Sequence, residues 1–209
     1  MIDLDRKKHW ENIYATKKID EVSWYQPIPT TSRALIEASN IAFNAKIIDV
    51  GGGDGSLVDC LLELGYTDIT VLDISANAIE RAKNRLGENA EKVKWIVADA
   101  AHFNPPEQYD LWHDRAAFHF LTQKSAIQNY QQAVEKGLKE NGCLIIGTFS
   151  KEGPLKCSGI AIQQYSEETL TNCFSNHFNI IKTIYYKHPT PFNTMQNFVF
   201  CSFKKTTQI

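Results

Sequence analysis

Apolar positions along the chain follow two rhythms. Short runs at 47–50, 69–73, 93–97 and 143–149, bounded by glycine, aspartate or asparagine, read as buried strands. Residues 109–115 form a fourth such strand, with a polar exit turn. Between the runs apolar residues recur three and four apart. Leu57, Val58, Leu61 and Leu62 mark a helix over 56–65, and further helices are predicted over 76–86 and 125–139. Asn141-Gly142 reads as the C-cap of the last of these. Strands that are apolar throughout and alternate with helices predict an α/β domain: a mostly parallel sheet with helices on both faces. The tail changes character, with a short helix over 167–174 and two strands, 178–186 and 197–203, placed for an antiparallel C-terminal hairpin. Upstream, residues 31–38 read as a helix capped by Thr30 or Thr31. His9-Trp10-Glu11-Asn12-Ile13-Tyr14 carries aromatics at helical spacing, and residues 21–29 form an extended, proline-stopped loop. No repeat, low-complexity tract or interdomain linker interrupts the pattern, so 209 residues predict one domain over 1–209.

The first apolar run breaks directly into Gly51-Gly52-Gly53-Asp54-Gly55-Ser56. A strand, a glycine loop and a helix N-terminus make a ligand cradle, because glycine reaches positive φ and leaves no Cβ between backbone amides and a ligand. A dinucleotide fingerprint needs a third glycine where Ser56 stands, and a phosphate loop needs a Lys and hydroxyl that are missing here. Gly51, Gly53 and Gly55 instead follow Asp49 in the pattern D-x-G-x-G-x-G. Asp73 ends the neighbouring strand, where a carboxylate can accept both hydroxyls of a ribose.

This combination resembles motif I of the class I S-adenosylmethionine (SAM) dependent methyltransferases. The resemblance covers nearly the whole chain and implies a Rossmann-like seven-stranded sheet, with SAM as cofactor and S-adenosylhomocysteine (SAH) as product. It implies cofactor contacts from Asp49, Gly51, Gly52, Gly53 and Gly55 in the loop and from Asp73 with Ile74. It further implies contacts from Asp99 beside the adenine amino group, with Ala100, His113, Trp10 and Trp24. Asp114-Arg115-Ala116-Ala117-Phe118-His119-Phe120-Leu121 resembles the Asp-Arg-Gly-Ala-Leu segment of thiopurine methyltransferase-like enzymes, with Ala116 standing where they have glycine.

Composition narrows the acceptor. The formal net charge is −2, with no long run of lysine or arginine, which argues against nucleic acid as a partner. The charged start, Met1-Ile2-Asp3-Leu4-Asp5-Arg6-Lys7-Lys8, leads into no apolar stretch, and no later run approaches a membrane span. A soluble, cytoplasmic protein without a membrane partner is expected. Five cysteines without a C-x-x-C and six scattered histidines indicate neither disulfides nor a metal site. Cys157 stands apart in the polar loop Lys156-Cys157-Ser158-Gly159.

Residues 1–30 are expected to form a lid within the domain, whose Trp10, Trp24 and Tyr25 cover either the sheet edge or a ligand pocket. The acceptor site is expected from Arg115 and His119 after the fourth strand, Trp24 and Tyr25 of the lid, and His188 and Gln196 of the hairpin. Arg115, His119 and His188 are the catalytic candidates. A histidine could take a proton from a thiol or amine, and Arg115 could pair with an anion. In the opposing view Arg115 pairs with Asp114 or Asp110 and His188 merely ends a strand. The expected activity is methyl transfer from SAM to a small-molecule acceptor by a monomer or weak dimer. The alternatives are a protein lysine methyltransferase and a SAM-binding protein without transfer activity.

Overall fold

A computed structural model describes residues 5–206. Seven of its strands form one sheet in the order β3-β2-β1-β4-β5-β9-β8. They are β1 (Lys46–Val50), β2 (Asp68–Asp73), β3 (Val93–Val97), β4 (Tyr109–Arg115), β5 (Leu138–Phe149), β8 (Phe178–Pro189) and β9 (Met195–Lys205). The first five run parallel, while β9 is antiparallel to both β5 and β8. The apolar runs follow from double coverage. Ile48 and Val50 pack with Tyr130 and Val134 of α5 (Lys124–Gly137) and with Leu170 and Phe174 of α6 (Glu167–Phe174). Ile47 faces the other way, toward Ile36 of α2 (Thr30–Ala38), Leu61 of α3 (Leu57–Glu63) and Ile79 of α4 (Ala76–Leu86). The strand order reverses between β1 and β4, which opens a crevice at the carboxyl ends of these strands.

Three boundaries differ from the sequence reading. Asn141-Gly142 does not cap α5. The helix closes at Gly137, with the Leu138 amide bonded to the Val134 carbonyl, and Leu138 already pairs with Tyr109. The register then shifts before Cys143 pairs with Leu111, so Asn141, at φ 58°, belongs to an irregularity within β5. Gly137, the last residue of the helix, lies against Pro105 and Trp112, where a Cβ would come within 2.8 Å of both. Neither Thr30 nor Thr31 caps α2: Thr30 is its first residue, Pro29 holds the N-cap position, and no side chain caps it. The last two strands run past the expected ends, pairing from Phe178 with Lys205 through to Pro189 with Met195, because backbone pairing continues where side chains turn polar.

The lid has a helix, α1 (Arg6–Thr16), capped by Asp5 and without a buried residue. Polar contacts dock it on α4. The Glu11 carboxylate accepts from the Ser75 hydroxyl at 2.7 Å and from the Ala76 and Asn77 amides at 2.9 and 3.0 Å, capping α4 from outside. Arg81 donates to the Tyr14 and Lys17 carbonyls. A two-stranded hairpin, β6 (Lys156–Cys157) with β7 (Ile160–Ala161), turns through Ser158 and Gly159, both at positive φ. Among the described residues no helix is long and apolar enough to cross a membrane.

Candidate active site

The glycine loop leaves β1 with Gly51 at φ 71° and Gly53 at φ 56°, and the Gly51 and Gly52 amides both donate to the Leu72 carbonyl. Side chains are excluded by contact as well as by dihedral angle. A Cβ on Gly52 would lie 2.7 Å from Asp49 Oδ2 and 2.8 Å from Val71, and one on Gly53 would lie 2.5 Å from Tyr14 Oη. Beneath the loop a buried relay sets the scaffold: His113 Nδ1 lies 2.7 Å from Asp49 Oδ1, and His113 Nε2 lies 2.9 Å from Ser32 Oγ. With Nδ1–H donated to the carboxylate, Nε2 accepts the Ser32 hydroxyl proton, and all three groups are satisfied.

Acids gather on this side. Asp73 is buried, and burial pushes its carboxyl up to about 7, against the lowering effect of the Ser75 and Gly53 amides; Asp54 and Asp49 add to the rise. Asp54 pairs with Arg81 at 2.8 Å, yet its carboxyl also lies above its ordinary value because burial outweighs the guanidinium. Asp99 accepts the Ala101 amide on Oδ1 and Arg6 Nη2 at 2.6 Å on Oδ2. A carboxylate has about four lone-pair sites, so further acceptance is open to it.

Loop, acids and lid enclose a cavity of about 1220 Å³, counting its open mouth. Eleven of the expected cofactor residues line it: Asp49, Gly51, Gly52, Gly55, Asp73, Ile74, Asp99, Ala100, His113, Trp10 and Trp24. Gly53 does not; it lies beneath Tyr14. Trp10 packs edge-on against Trp24 and Phe120, with centroids 5.6 and 5.0 Å apart, so these rings form the cavity wall. Arg115 and Tyr25 also line it.

The other acceptor candidates lie elsewhere. His119 is fully buried, with its ring against Phe149 and its Nδ1 accepting the Phe149 amide; burial, with Arg115 adding to it, holds its imidazole down to about 3. His188 lies 2.8 Å from the Ser23 carbonyl through Nε2 and 3.3 Å from the Gln26 amide nitrogen through Nδ1. It therefore fastens the lid loop to β8, and burial holds it near 4. Gln196 is buried and does not line the cavity. Arg115 pairs with neither Asp114 nor Asp110. Asp114 accepts the Ala117 and Phe118 amides and the Tyr130 hydroxyl, bracing the turn in which Ala116 adopts φ 67°. Sequence reasoning missed Arg6, Tyr14, Ser32 and Asp54; the lid aromatics hinted at Tyr14, and no local pattern marks the others.

Residues 47–142 match the family described as "Methyltransferase domain". The matched stretch, a little under half of the chain, holds the glycine loop, Asp73 and Asp99. Malonyl-[acyl-carrier protein] O-methyltransferase 2 of Ilyobacter polytropus is 28% identical over 71% of this chain and 56% of its own length. EEF1A lysine methyltransferase 2 of Danio rerio is 26% identical over 90% of this chain and 79% of its own. The chain thus spans little more than half of the first relative. The N-methyltransferase NodS from Bradyrhizobium japonicum WM9, solved with SAH, superposes with a TM-score of 0.73 at 16% identity over 97% of this chain and 100% of its own. The cradle fits a SAM cofactor: the loop excludes side chains at Gly52 and Gly53, and β2, beside β1, ends in Asp73, which lines the cavity.

Proposed function

We propose that the chain transfers a methyl group from SAM to a small-molecule acceptor held between the glycine loop and the aromatic lid. The observation that carries this reading is the single cavity in which Asp73, the loop and Arg115 meet under Trp10 and Trp24. Asp73 would hold the ribose hydroxyls and Asp99 the adenine amino group. SAM supplies an activated methyl on a sulfonium, so the chain's task is alignment of the acceptor and exclusion of water. The rings of Trp10, Tyr14, Trp24, Tyr25 and Phe120 in the wall suit both. His119 and His188 are neutral near pH 7 and away from the cavity, so they act through packing and lid anchoring. The resemblance of residues 114–121 to thiopurine methyltransferase-like enzymes supports a small acceptor.

A second reading, a protein lysine methyltransferase, is favoured by the Danio rerio relative, which is named for that activity and aligns along 90% of this chain. The experiment is calorimetry with SAM, SAH and NAD, followed by a screen of labelled SAM against carboxylates, thiols, amines and unfolded protein. Binding of NAD in place of SAM and SAH would end the reading. Labelling of protein alone would favour the lysine alternative, and tight SAM binding without any turnover would favour a binding protein.

A further inference from the structure

Two charged residues of the cavity wall, Asp73 and Arg115, make no ion pair among the described residues. Asp49 is bonded to His113, Asp54 to Arg81 and Asp99 to Arg6, so on the cofactor side Asp73 alone lacks a cationic or imidazole partner. The guanidinium of Arg115 makes no ion pair among the described residues; the nearby Asp49 carboxylate acts on it only through space. Its Nη1 donates to the Trp24 carbonyl at 3.1 Å, and its Cζ sits 5.0 Å from the Phe198 ring centroid. Its Nε and Nη2 are buried and have no hydrogen-bond partner. These two nitrogens share one edge of the planar group, the edge that receives a carboxylate through two parallel hydrogen bonds.

The neighbours do not neutralise it. Cys157, also on the cavity wall, is a neutral thiol, because burial pushes it up to about 11 in spite of Arg115. Burial lowers Arg115 itself to about 10, so it stays charged near pH 7. A buried cation with an empty two-donor edge is expensive unless something completes it.

Resting on the methyltransferase reading, we infer that the acceptor carries a carboxylate that pairs side-on with the unpartnered Nε and Nη2 of Arg115, a residue of the cavity wall. Arg115 is then the anchor that orients the acceptor. The same charge repels a lysine ammonium, which separates this acceptor class from the protein substrates of the second reading.

The test uses the full chain saturated with SAH, with propionate, benzoate, benzamide, benzylamine and inorganic phosphate titrated by calorimetry. The carboxylates should bind saturably, with benzamide and benzylamine at least about tenfold weaker than benzoate, as expected for a lost bidentate charged pair. Arg115→Met should weaken benzoate by at least about tenfold while SAH affinity stays within about twofold. Arg115→Lys, which keeps the charge and loses the fork, should fall between. Equal binding of benzoate and benzamide, or undiminished benzoate binding by both variants, overturns the assignment. So does absence of carboxylate binding to the SAH complex, or phosphate binding as tight as benzoate. If the wild-type chain fails to bind SAH at all, the methyltransferase reading itself falls, which is a separate result.

Discussion

Replacing Asp73 with Asn should make the ligand-free chain more stable and the cofactor site worse. Burial raises this carboxyl from 3.8 to about 7. A raised acid favours the fold while it keeps its proton: that contribution is complete below the unfolded value, shrinks as pH rises from about 4, and is gone above about 7. Above pH 7 the fold therefore carries an ionised, buried carboxylate at a cost of about 4 kcal/mol, taking 1.36 kcal/mol per tenfold. Asn removes that cost and loses part of the bonding to the Ser75 amide, now 2.8 Å from Oδ1, about 1–2 kcal/mol. The net gain is about 2 kcal/mol at pH 8.5, or roughly 5 °C in Tm for a domain of this size. Near pH 4.5 the gain should vanish or reverse by about 1 kcal/mol, since the wild-type carboxyl is then protonated. Thermal unfolding of both proteins from pH 4.5 to 8.5 reads this crossing directly. Calorimetry with SAH should show the variant weaker by about 2–4 kcal/mol, and wild-type affinity falling by about tenfold per pH unit below 7. An Asn variant that is less stable by the same amount at both ends of the range would refute the argument.

Glu11→Ala should free α1, raising its amide exchange by about tenfold and speeding SAH release, because the three donors of Ser75, Ala76 and Asn77 lose their acceptor; hydrogen exchange and stopped-flow dissociation check it. Gly52→Ala should lower stability by about 1–3 kcal/mol and abolish SAH binding at micromolar concentrations, since its Cβ meets Asp49 and Val71; unfolding and calorimetry report both. Ala116→Gly should be neutral or stabilising by about 1 kcal/mol, because φ 67° is strained for alanine, and a denaturant midpoint decides it. His188→Ala should raise the KM for SAM and leave the pH–rate limbs in place, since His188, held near 4, does not titrate between pH 6 and 8; a lost limb would identify it as a base.

The inner parallel strands were legible because burial on both faces writes apolar runs, and β4, α4, α6 and the half-exposed edge strand β3 have the bounds their patterns predict. The glycine loop was legible because its dihedral angles and contacts admit no other residue. Asn141-Gly142 misled because the same pair serves a helix cap and a strand irregularity, and what decides is Leu138 entering the sheet. Glu11, Arg6 and Tyr14 were invisible for a different reason. A helix without buried residues shows no stripe, and the groups these side chains meet lie 64 to 93 positions away or across the loop. Arg115 was legible as a polar residue at a strand end; that its free edge faces no acid was not.

The His188 clamp has a consequence for assembly in time. Its partners, Ser23 and Gln26, precede it by 165 and 162 positions. At synthesis rates of about 5–20 residues per second, the lid loop waits roughly 8–30 s on the ribosome for the strand that fastens it. During that interval β1 to β5 can pair as each emerges and α1 can dock on α4, so the glycine loop sits under a lid whose Ser23–Gln26 stretch is not yet fastened. A nascent chain therefore meets its cofactor with the door unlatched, and residence of the ligand, rather than access to it, is what the last two strands add.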